Sequence, residues 1–495
     1  MNLLSKIKPW YWLLAALGLW LMIWAGYDAN FWQVFTPGFP HSLLDAAQGL
    51  RTFLPLVAAL LAVVFLILKK HILPKGFFLK PLGLLLIYSL VGVVSSAFSN
   101  DPMWALYWAA MYGSVVLVLL MISYSQDTLK KVAVAISLNW AIAGFLSVAL
   151  TAFFLIQPGV LHSLTLNFLF CMGRPYEGFG GIPAAVQTLG IAGTRPTGLG
   201  RYAAIIALVA FCRFLYAEKK SLKAAWLVAF ILAIAILLFA KGKTEIAVFI
   251  PVFIVVLVMT KKLKTWWILF IAIFTIVSGI IIFYNIPCTN STALLNAFIP
   301  KTNPTTSNVV STPPANGQTP KSISGSISSH GAKNSASNAP TTRASASSVV
   351  TQTKSLKALV TLSGRTNGVW SGAWQLFLTS PFLGRGFQAD RIFLDGQNAQ
   401  NTVLHTLIQT GIIGTIPFVL AFIMTFYMLW HLLKDPNLQG SQRIFLIEIT
   451  AVFLFLVARG ITESLAYYSA DWIFIAPLIA YIQIVYENYH HQRIL

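Results

Sequence analysis

Charged side chains are scarce in this chain, and acidic ones are the scarcest. Only 10% of the 495 residues are charged, with 34 Lys and Arg against 14 Asp and Glu. Hydrophobic residues make up 57% of the chain, and the mean hydropathy is +0.74. So few charges cannot cover the surface of a soluble protein of this size. The composition therefore excludes a soluble globule and predicts an all-α, polytopic membrane protein.

Cysteine is also rare. The three cysteines, Cys171, Cys212 and Cys288, have neither the spacing of a metal site nor that of a disulfide framework. Cys212 lies in an apolar stretch, where a small buried thiol is expected. Cys171 and Cys288 lie in segments predicted to face the outside, so a disulfide between these two cysteines stays an open alternative. No metal site is predicted.

Apolar stretches of about the 20 residues that a membrane span needs recur along the chain. Lys6 and Lys8 precede the first, which is long enough to span and is therefore interpreted as a membrane helix, not a cleaved leader. We predict twelve helices, at 9–27, 52–68, 81–98, 104–123, 132–155, 202–216, 224–240, 246–259, 266–284, 404–430, 444–462 and 470–486. They divide the chain into N-terminal helices with a first outer loop (1–201), central helices (202–284), a large outer loop (285–403) and C-terminal helices (404–495).

Lysines are concentrated in short connections on one side of this predicted bundle. Twelve spans place both termini on that same side, which the lysine excess identifies as the cytoplasm. The residues concerned are Lys69, Lys70, Lys75, Lys80, Lys130, Lys131, Lys219, Lys220, Lys223, Lys261, Lys262 and Lys264. Because this topological signal accounts for much of the net charge of +20, nucleic acid is not predicted as a partner.

Two long segments, 156–201 and 285–403, are predicted on the outer side. Residues 302–353 of the second contain no aromatic and no acidic residue, so they cannot bury enough apolar surface to offset the entropy of ordering. We predict that they are disordered. The following stretch recovers helical spacing of Trp, Leu and Phe, which predicts a short amphipathic helix against the membrane face or the bundle.

Several cations on the predicted outer side break the positive-inside pattern and need a reason. One such reason is a phosphate-bearing ligand, since an arginine guanidinium group can donate two parallel hydrogen bonds to phosphate oxygens. Lipid headgroups, or pairing with acids such as Glu177, Glu245 or Glu463, are the alternatives. The cations are Arg174, Arg195, Arg201, Lys241, Lys243, Arg365, Arg385 and Arg391, with Arg459 near the outer end of the eleventh helix. The stretch KGKT (241–244) is not a nucleotide-binding loop, because position 237 is leucine where that motif needs glycine.

Four stretches, in order, resemble the O-antigen ligase and O-antigen polymerase family. GTRPTGLGRYAAIIAL (193–208) is similar to the family segment in which a loop arginine precedes a glycine turn and a helix. AKGKTEIAVF (240–249) is similar to the family's turn between two helices, and Lys243 stands in the position of that turn's arginine. SGRTNGVWSGAWQLFLTSPFLGRGF (363–387) has the family's Arg, its Trp five residues on, and Ser-Pro-x-x-Gly-x-Gly. QNTVLHTLIQTGIIG (400–414) is similar to His-Asn-x-x-Leu-x-x-Leu-x-Glu-x-Gly-x-x-Gly.

The resemblance implies a membrane glycosyltransferase on the outer face of a bacterial plasma (inner) membrane. Its donor would be an undecaprenyl-diphosphate-linked glycan, and its acceptor a glycan, lipid or protein, with no nucleotide sugar, metal or other cofactor. Arg365 and Lys243 would hold the diphosphate, with Arg195 in support. The neighbouring cations Arg201, Lys241 and Arg385 are further candidates for the same ligand, because preplaced cations stabilise the charge of a leaving diphosphate.

Gln400 stands where ligases of this family carry the histidine proposed to activate the acceptor hydroxyl, while Asn401 matches. Glutamine cannot accept a proton, so Gln400 and Asn401 are candidate neutral contacts to substrate. His405 could be the base instead, although on a helix it would face roughly 140° away from position 400. A carboxylate such as Glu177, Asp390 or Asp395 could also serve, or the chain could lack a strong base. Asp390 and Asp395 are equally compatible with solvated loop acids, and His405 with a satisfied helix residue.

Two other functions compete with glycan transfer. A small-anion transporter, resembling inorganic-carbon permeases, would also suit outer cations on a polytopic bundle. Against it, the two halves show no internal repeat, and few charged residues besides Glu448 lie in the middle of a predicted span. A non-catalytic membrane scaffold that displays the Ser/Thr-rich segment is the third possibility.

Overall fold

The computed structural model describes residues 43–68, 76–123, 128–156, 196–240, 243–260, 369–394, 399–436, 438, 440–463 and 469–494. These residues form helices and turns, and no strand occurs among them. The helices are α1 (Leu43–Leu68), α2 (Pro81–Ser96), α3 (Pro102–Ser123), α4 (Thr128–Ile156), α5 (Pro196–Tyr216), α6 (Lys220–Ala240), α7 (Lys243–Thr260), α8 (Ser371–Leu378), α9 (Ala389–Phe393), α10 (Thr402–Lys434), α11 (Gly440–Arg459) and α12 (Ser469–Ile494).

Ten of the twelve predicted helices coincide with described ones, to within a few residues at most ends. Six of these, α3, α4, α5, α6, α10 and α11, are long and apolar enough to cross a membrane, and shorter apolar stretches lie in α1, α2 and α7. The prediction of an all-helical chain whose apolar helices suit a membrane is therefore confirmed for the described residues. The predicted spans 9–27 and 266–284, the segment 302–353, Cys171 and Cys288 lie outside the described residues, so the count of twelve stays a prediction. Cys212 is buried, as expected.

Short turns and proline starts explain how the bundle is laid out. Proline is the first residue of α2, α3 and α5, where its missing amide hydrogen is not needed. Helices α5 and α6 pack along each other as a hairpin, and α10 packs against α2. Helix α12 contacts α3, α4 and α10, so it lies inside the assembly of helices.

A buried aromatic cluster fixes one loop to the bundle. The ring of Phe387, in the loop between α8 and α9, is fully buried and lies 5.4 Å from the ring of Tyr88 and 5.0 Å from that of Tyr112. A Cβ at Gly92 would collide with the Phe387 ring, so the absence of a side chain there makes the socket. Phe387 thereby positions the residues on both sides of it.

One end of the bundle collects many polar residues, and we call it the Arg459 end. It contains the turn 97–101, the starts of α5, α7, α10 and α12, and the end of α11. The predicted amphipathic helix is α8, whose Ala373 and Phe377 are buried towards α10 while Trp374 and Leu378 are exposed. At the opposite end Lys80 pairs with Glu487 at 2.9 Å.

Candidate functional site

Helix α10 is interrupted at Gly411. This glycine has φ 60° and ψ −163°, a combination essentially restricted to glycine. The interruption removes α-helical hydrogen bonds on both sides of it, and buried backbone groups need replacement partners. The loop of residues 380–386 supplies these partners.

Four backbone hydrogen bonds join this loop to the break. Two loop amides donate to the last carbonyls of the first half of α10, and two amides of the second half donate to loop carbonyls. The pairs are Arg385 N to Ile408 O (2.8 Å), Gly386 N to Gln409 O (3.0 Å), Ile412 N to Pro381 O (2.8 Å) and Ile413 N to Phe382 O (3.1 Å). The loop and the two halves of α10 therefore form one interlocked unit.

Glycines make this interlock possible. Gly384 has φ 69°, and a Cβ there would lie 2.5 Å from the backbone carbonyl of Gln409. A Cβ at Gly411 would collide with the carbonyl oxygen of Phe382. These glycines belong to the two motifs that were matched separately in the sequence, so the motifs are the two sides of one contact.

His405 lies in the first half of α10, in a buried chain of four side chains. Its Nδ1 is 2.6 Å from Oδ2 of Asp390, and its Nε2 is 2.7 Å from Nε2 of Gln409. The Tyr88 hydroxyl donates to Oε1 of Gln409 at 2.9 Å. All four side chains are fully buried. Two of the predicted base candidates, His405 and Asp390, are thus directly paired.

Asp390 is not a solvated loop acid. It lies on α9, and its Oδ2 also accepts the backbone amide of Ala399 at 2.9 Å. Its Oδ1 is buried and has no hydrogen-bond partner. The neighbouring Gln388 has φ 64°, and both polar atoms of its buried amide lack a partner. Non-glycine residues with positive φ and unsatisfied buried groups are concentrated at functional sites.

Gln400 and Asn401 precede helix α10. Gln400 has φ 47°, and its carbonyl accepts the indole N–H of Trp370 at 3.3 Å. The predicted 140° separation from His405 therefore does not apply, because Gln400 is not on the helix. Asn401 is the N-cap: its Oδ1 accepts from Leu404 N at 3.0 Å, and its Nδ2 donates to Ile461 O at 2.9 Å. The Asn401 amide thus holds the helix start.

A buried ionic network lies at the same end. Arg459, at the end of α11, donates to Glu245 at 3.0 Å and to Asp471 at 2.8 Å. Asp471 also accepts from Arg201 at 2.9 Å. Each of these four side chains is 2% exposed or less. The network joins the starts of α5, α7 and α12 to the end of α11.

The network is continuous with the start of α10. The amide of Thr402 donates to Gly460 O at 2.9 Å, and its hydroxyl donates to the Glu463 carbonyl at 3.1 Å. Gly200 packs against the side chain of Glu245, where an added Cβ would lie 3.4 Å away. The end of α11 therefore connects the ionic network to the His405 chain.

The cations that were predicted to bind an anionic ligand have different surroundings in the structure. Arg201 is buried in its pair with Asp471, so an anionic ligand would have to compete with that carboxylate. Arg385 donates to the Thr379 hydroxyl at 2.8 Å and lies over the Phe393 ring. Lys243 begins α7, two residues before Glu245, although its side chain is outside the described part. Arg174, Arg195, Lys241, Arg365, Glu177 and Asp395 also lie outside the described residues. In the described part, no three His, Cys, Asp or Glu side chains are grouped as metal ligands.

Sequence reasoning missed Tyr88, Gln409, Gln388 and Asp471. Two signals were available. Gln409 follows His405 by four residues, the spacing at which helical side chains meet, and it occupies the glutamate position of the matched motif. Asp471 is an acid at the start of an apolar helix, where an ionisable residue suggests a partner.

In comparisons with protein-family models, curated proteins and solved structures, the chain matches none. The family resemblance therefore rests on the four sequence motifs alone.

Proposed function

We propose that this protein is a metal-independent membrane glycosyltransferase. It would transfer or polymerise an undecaprenyl-diphosphate-linked oligosaccharide on the outer face of a bacterial plasma membrane. One observation carries the proposal: the described parts of the four motifs lie at the Arg459 end of the bundle, and the fourth motif contains His405, which forms a buried pair with Asp390.

The contacts between the motifs support this convergence. The first and second motifs meet where Gly200 packs on Glu245. The third and fourth meet in the loop–helix interlock and where Trp370 donates to Gln400. The Arg459 network and the bonds of Thr402 connect the two groups.

The Asp390–His405 pair supplies the proton chemistry in this proposal. The acceptor hydroxyl gives its proton to Nε2 of His405 while its oxygen forms a bond to the anomeric carbon of the donor. The bond from that carbon to the diphosphate oxygen breaks, and its electron pair leaves with the diphosphate. Asp390 orients the imidazole and stabilises the imidazolium, which later returns the proton to water. Gln400 would be a neutral contact in this scheme.

The leaving diphosphate would be held by Lys243 and Arg365, with Arg195, Lys241 and Arg385 in support. Arg201 has a different role in the proposal: through Asp471 it positions the helix starts that carry these cations. Once water is excluded from such a site, preplaced positive charge strongly stabilises a developing phosphate anion.

The orientation in the membrane follows from the lysines. Lys80 and the α5–α6 turn with Lys219 lie at the end opposite Arg459. We assign that end, and both termini, to the cytoplasm, with twelve spans in all. The His405 chain then faces the periplasm or outside, where lipid-linked glycans are presented.

Deleting the gene in its own host tests the function whichever sugar is transferred. We expect undecaprenyl-diphosphate-linked glycan to accumulate and the surface polysaccharide to lose its long or ligated forms. The plasmid-borne wild-type chain should restore both, as should the control Glu487→Gln at the opposite end. Asp390→Asn, His405→Ala and Arg365→Ala should not restore them, despite wild-type levels of membrane-inserted protein. The double variant of Asp390 and His405 should be no worse than either single variant, because the pair acts as a unit.

The anion-transporter alternative predicts a different result. In that case the lipid-linked glycan pool would be unchanged by the deletion, and purified protein in liposomes would accumulate bicarbonate. This combination would overturn the transferase proposal.

A further inference from the structure

The hydrogen-bond chain through Gln409 fixes where the protons of His405 lie. The Tyr88 hydroxyl, buried beside the interlock, donates to the side-chain oxygen of Gln409. The other end of that amide is therefore its NH2 group, which faces Nε2 of His405 at 2.7 Å. A ring nitrogen that accepts from an NH2 group carries no hydrogen.

The opposite assignment leaves a donor unsatisfied. If the Gln409 amide were reversed, its NH2 would donate to the Tyr88 oxygen, and the buried Tyr88 hydroxyl would lose the acceptor it has in this structure. An orphaned buried donor is disfavoured. The ring proton of neutral His405 therefore lies on Nδ1 and is donated to Asp390 across 2.6 Å.

We infer that Gln409 and Tyr88 are positioning residues, which hold His405 as its Nδ1–H tautomer and reserve the Nε2 lone pair for the acceptor hydroxyl. This inference rests on the proposed function. In the structure the Gln409 amide occupies the place that the hydroxyl needs, so its side chain rotates away when the acceptor binds. Because the Gln409 backbone is held by Gly386 in the interlock, the rotation is confined to the side chain.

The tautomer can be measured independently of transfer. His405–Thr406 is the one His–Thr dipeptide in the chain, so labelling histidine and threonine assigns the His405 ring without a mutation. Solid-state nitrogen NMR of the full chain in liposomes should show a protonated Nδ1 and an unprotonated Nε2. A protonated Nε2 in the wild-type protein would overturn the inference.

Two variants should change the direction of the hydrogen bonds that His405 makes. Gln409→Glu places a carboxylate against Nε2, so that nitrogen should become protonated and lose its lone pair. Tyr88→Phe removes the anchor of the amide oxygen, so both tautomers should appear. The matched control is Tyr481→Phe, which removes the hydroxyl of a different buried tyrosine, on α12, and should leave the His405 signals unchanged. Unchanged signals in both Gln409→Glu and Tyr88→Phe would refute the positioning role.

Transfer rates connect the tautomer to the reaction. In membranes that consume the lipid-linked glycan, Gln409→Glu should lower kcat by about 10²-fold or more, the contribution typical of a general base, with KM nearly unchanged. Tyr88→Phe should lower kcat several-fold. Normal transfer by a Gln409→Glu protein with a protonated Nε2 would overturn the inference while leaving the transferase intact. Absence of transfer in the wild-type protein with the expected tautomer would refute the proposed function instead.

Discussion

Arg459 shows how a single residue joins separate helices at the site. Its guanidinium faces two carboxylates from different helices, and the three side chains are at most 1% exposed. Pairing with acids was one of the alternatives raised for the outer cations, and for Arg459 and Arg201 the structure shows such pairs. Their acids, Glu245 and Asp471, lie 214 and 270 residues from Arg459 and Arg201, respectively.

Removing Arg459 should destabilise the protein strongly. In Arg459→Ala, Glu245 stays buried without its cationic partner and Asp471 keeps only Arg201, and breaking a buried pair in this way typically costs about 3–5 kcal/mol. Lys80→Ala is the matched control, because the Lys80–Glu487 pair is 27% and 32% exposed and should contribute at most about 1 kcal/mol. Unfolding of the two purified variants in a mixed SDS micelle titration measures the difference. Equal midpoints would show that the network adds no stability.

The interrupted helix is the element that makes the site. A straight helix of the 33 residues in α10 would be about 50 Å long, well beyond a hydrocarbon core of about 30 Å. The break at Gly411 lets the first half carry His405 and Gln409, while the second half is apolar. Its exposed Ile416 and Ile423 suit contact with lipid.

Two glycines with positive φ provide a matched test of the interlock. Gly411→Ala forces alanine into a backbone conformation essentially restricted to glycine, which costs about 1–3 kcal/mol, and causes a collision with the Phe382 carbonyl. Overpacking adds about 1–3 kcal/mol, so the loss should reach about 2 kcal/mol or more and abolish transfer. Gly440→Ala, at φ 64° with open space around it, should show the strain alone and keep its activity. Similar stability of the two variants would mean that the loop does not depend on its docking at Gly411.

At the scale of the whole molecule, the positions of two turns test the orientation. In a background with Cys171, Cys212 and Cys288 replaced by alanine, Asn100→Cys reports on the turn 97–101 at the Arg459 end, and Ser221→Cys on the start of α6 at the other. An impermeant thiol reagent should label Asn100→Cys in intact spheroplasts and Ser221→Cys only after permeabilisation. The reverse pattern would place the Arg459 end in the cytoplasm and exclude an extracytoplasmic glycan transfer.

The sequence by itself determined the helices. Long apolar stretches have to satisfy their backbone hydrogen bonds locally in lipid, so their length and composition were sufficient to predict ten described helices within a few residues at most ends. The spacing of glycines and of Ser-Pro also singled out two stretches in which the structure has glycines with positive φ, because backbone conformation at glycine is a local property. Neither signal shows that the two motifs contact each other.

Only the tertiary structure decided the partners. Tyr88 and Gln409 are 321 residues apart, and no periodicity in either helix predicts that the hydroxyl of one meets the amide of the other. His405 and Asp390 were separate candidates for the base, and the folded chain makes them one pair. Gln400 was placed on a helical wheel, but a capping asparagine starts the helix after it. Side-chain partners depend on how helices pack across the chain, whereas helix formation depends on neighbours in sequence.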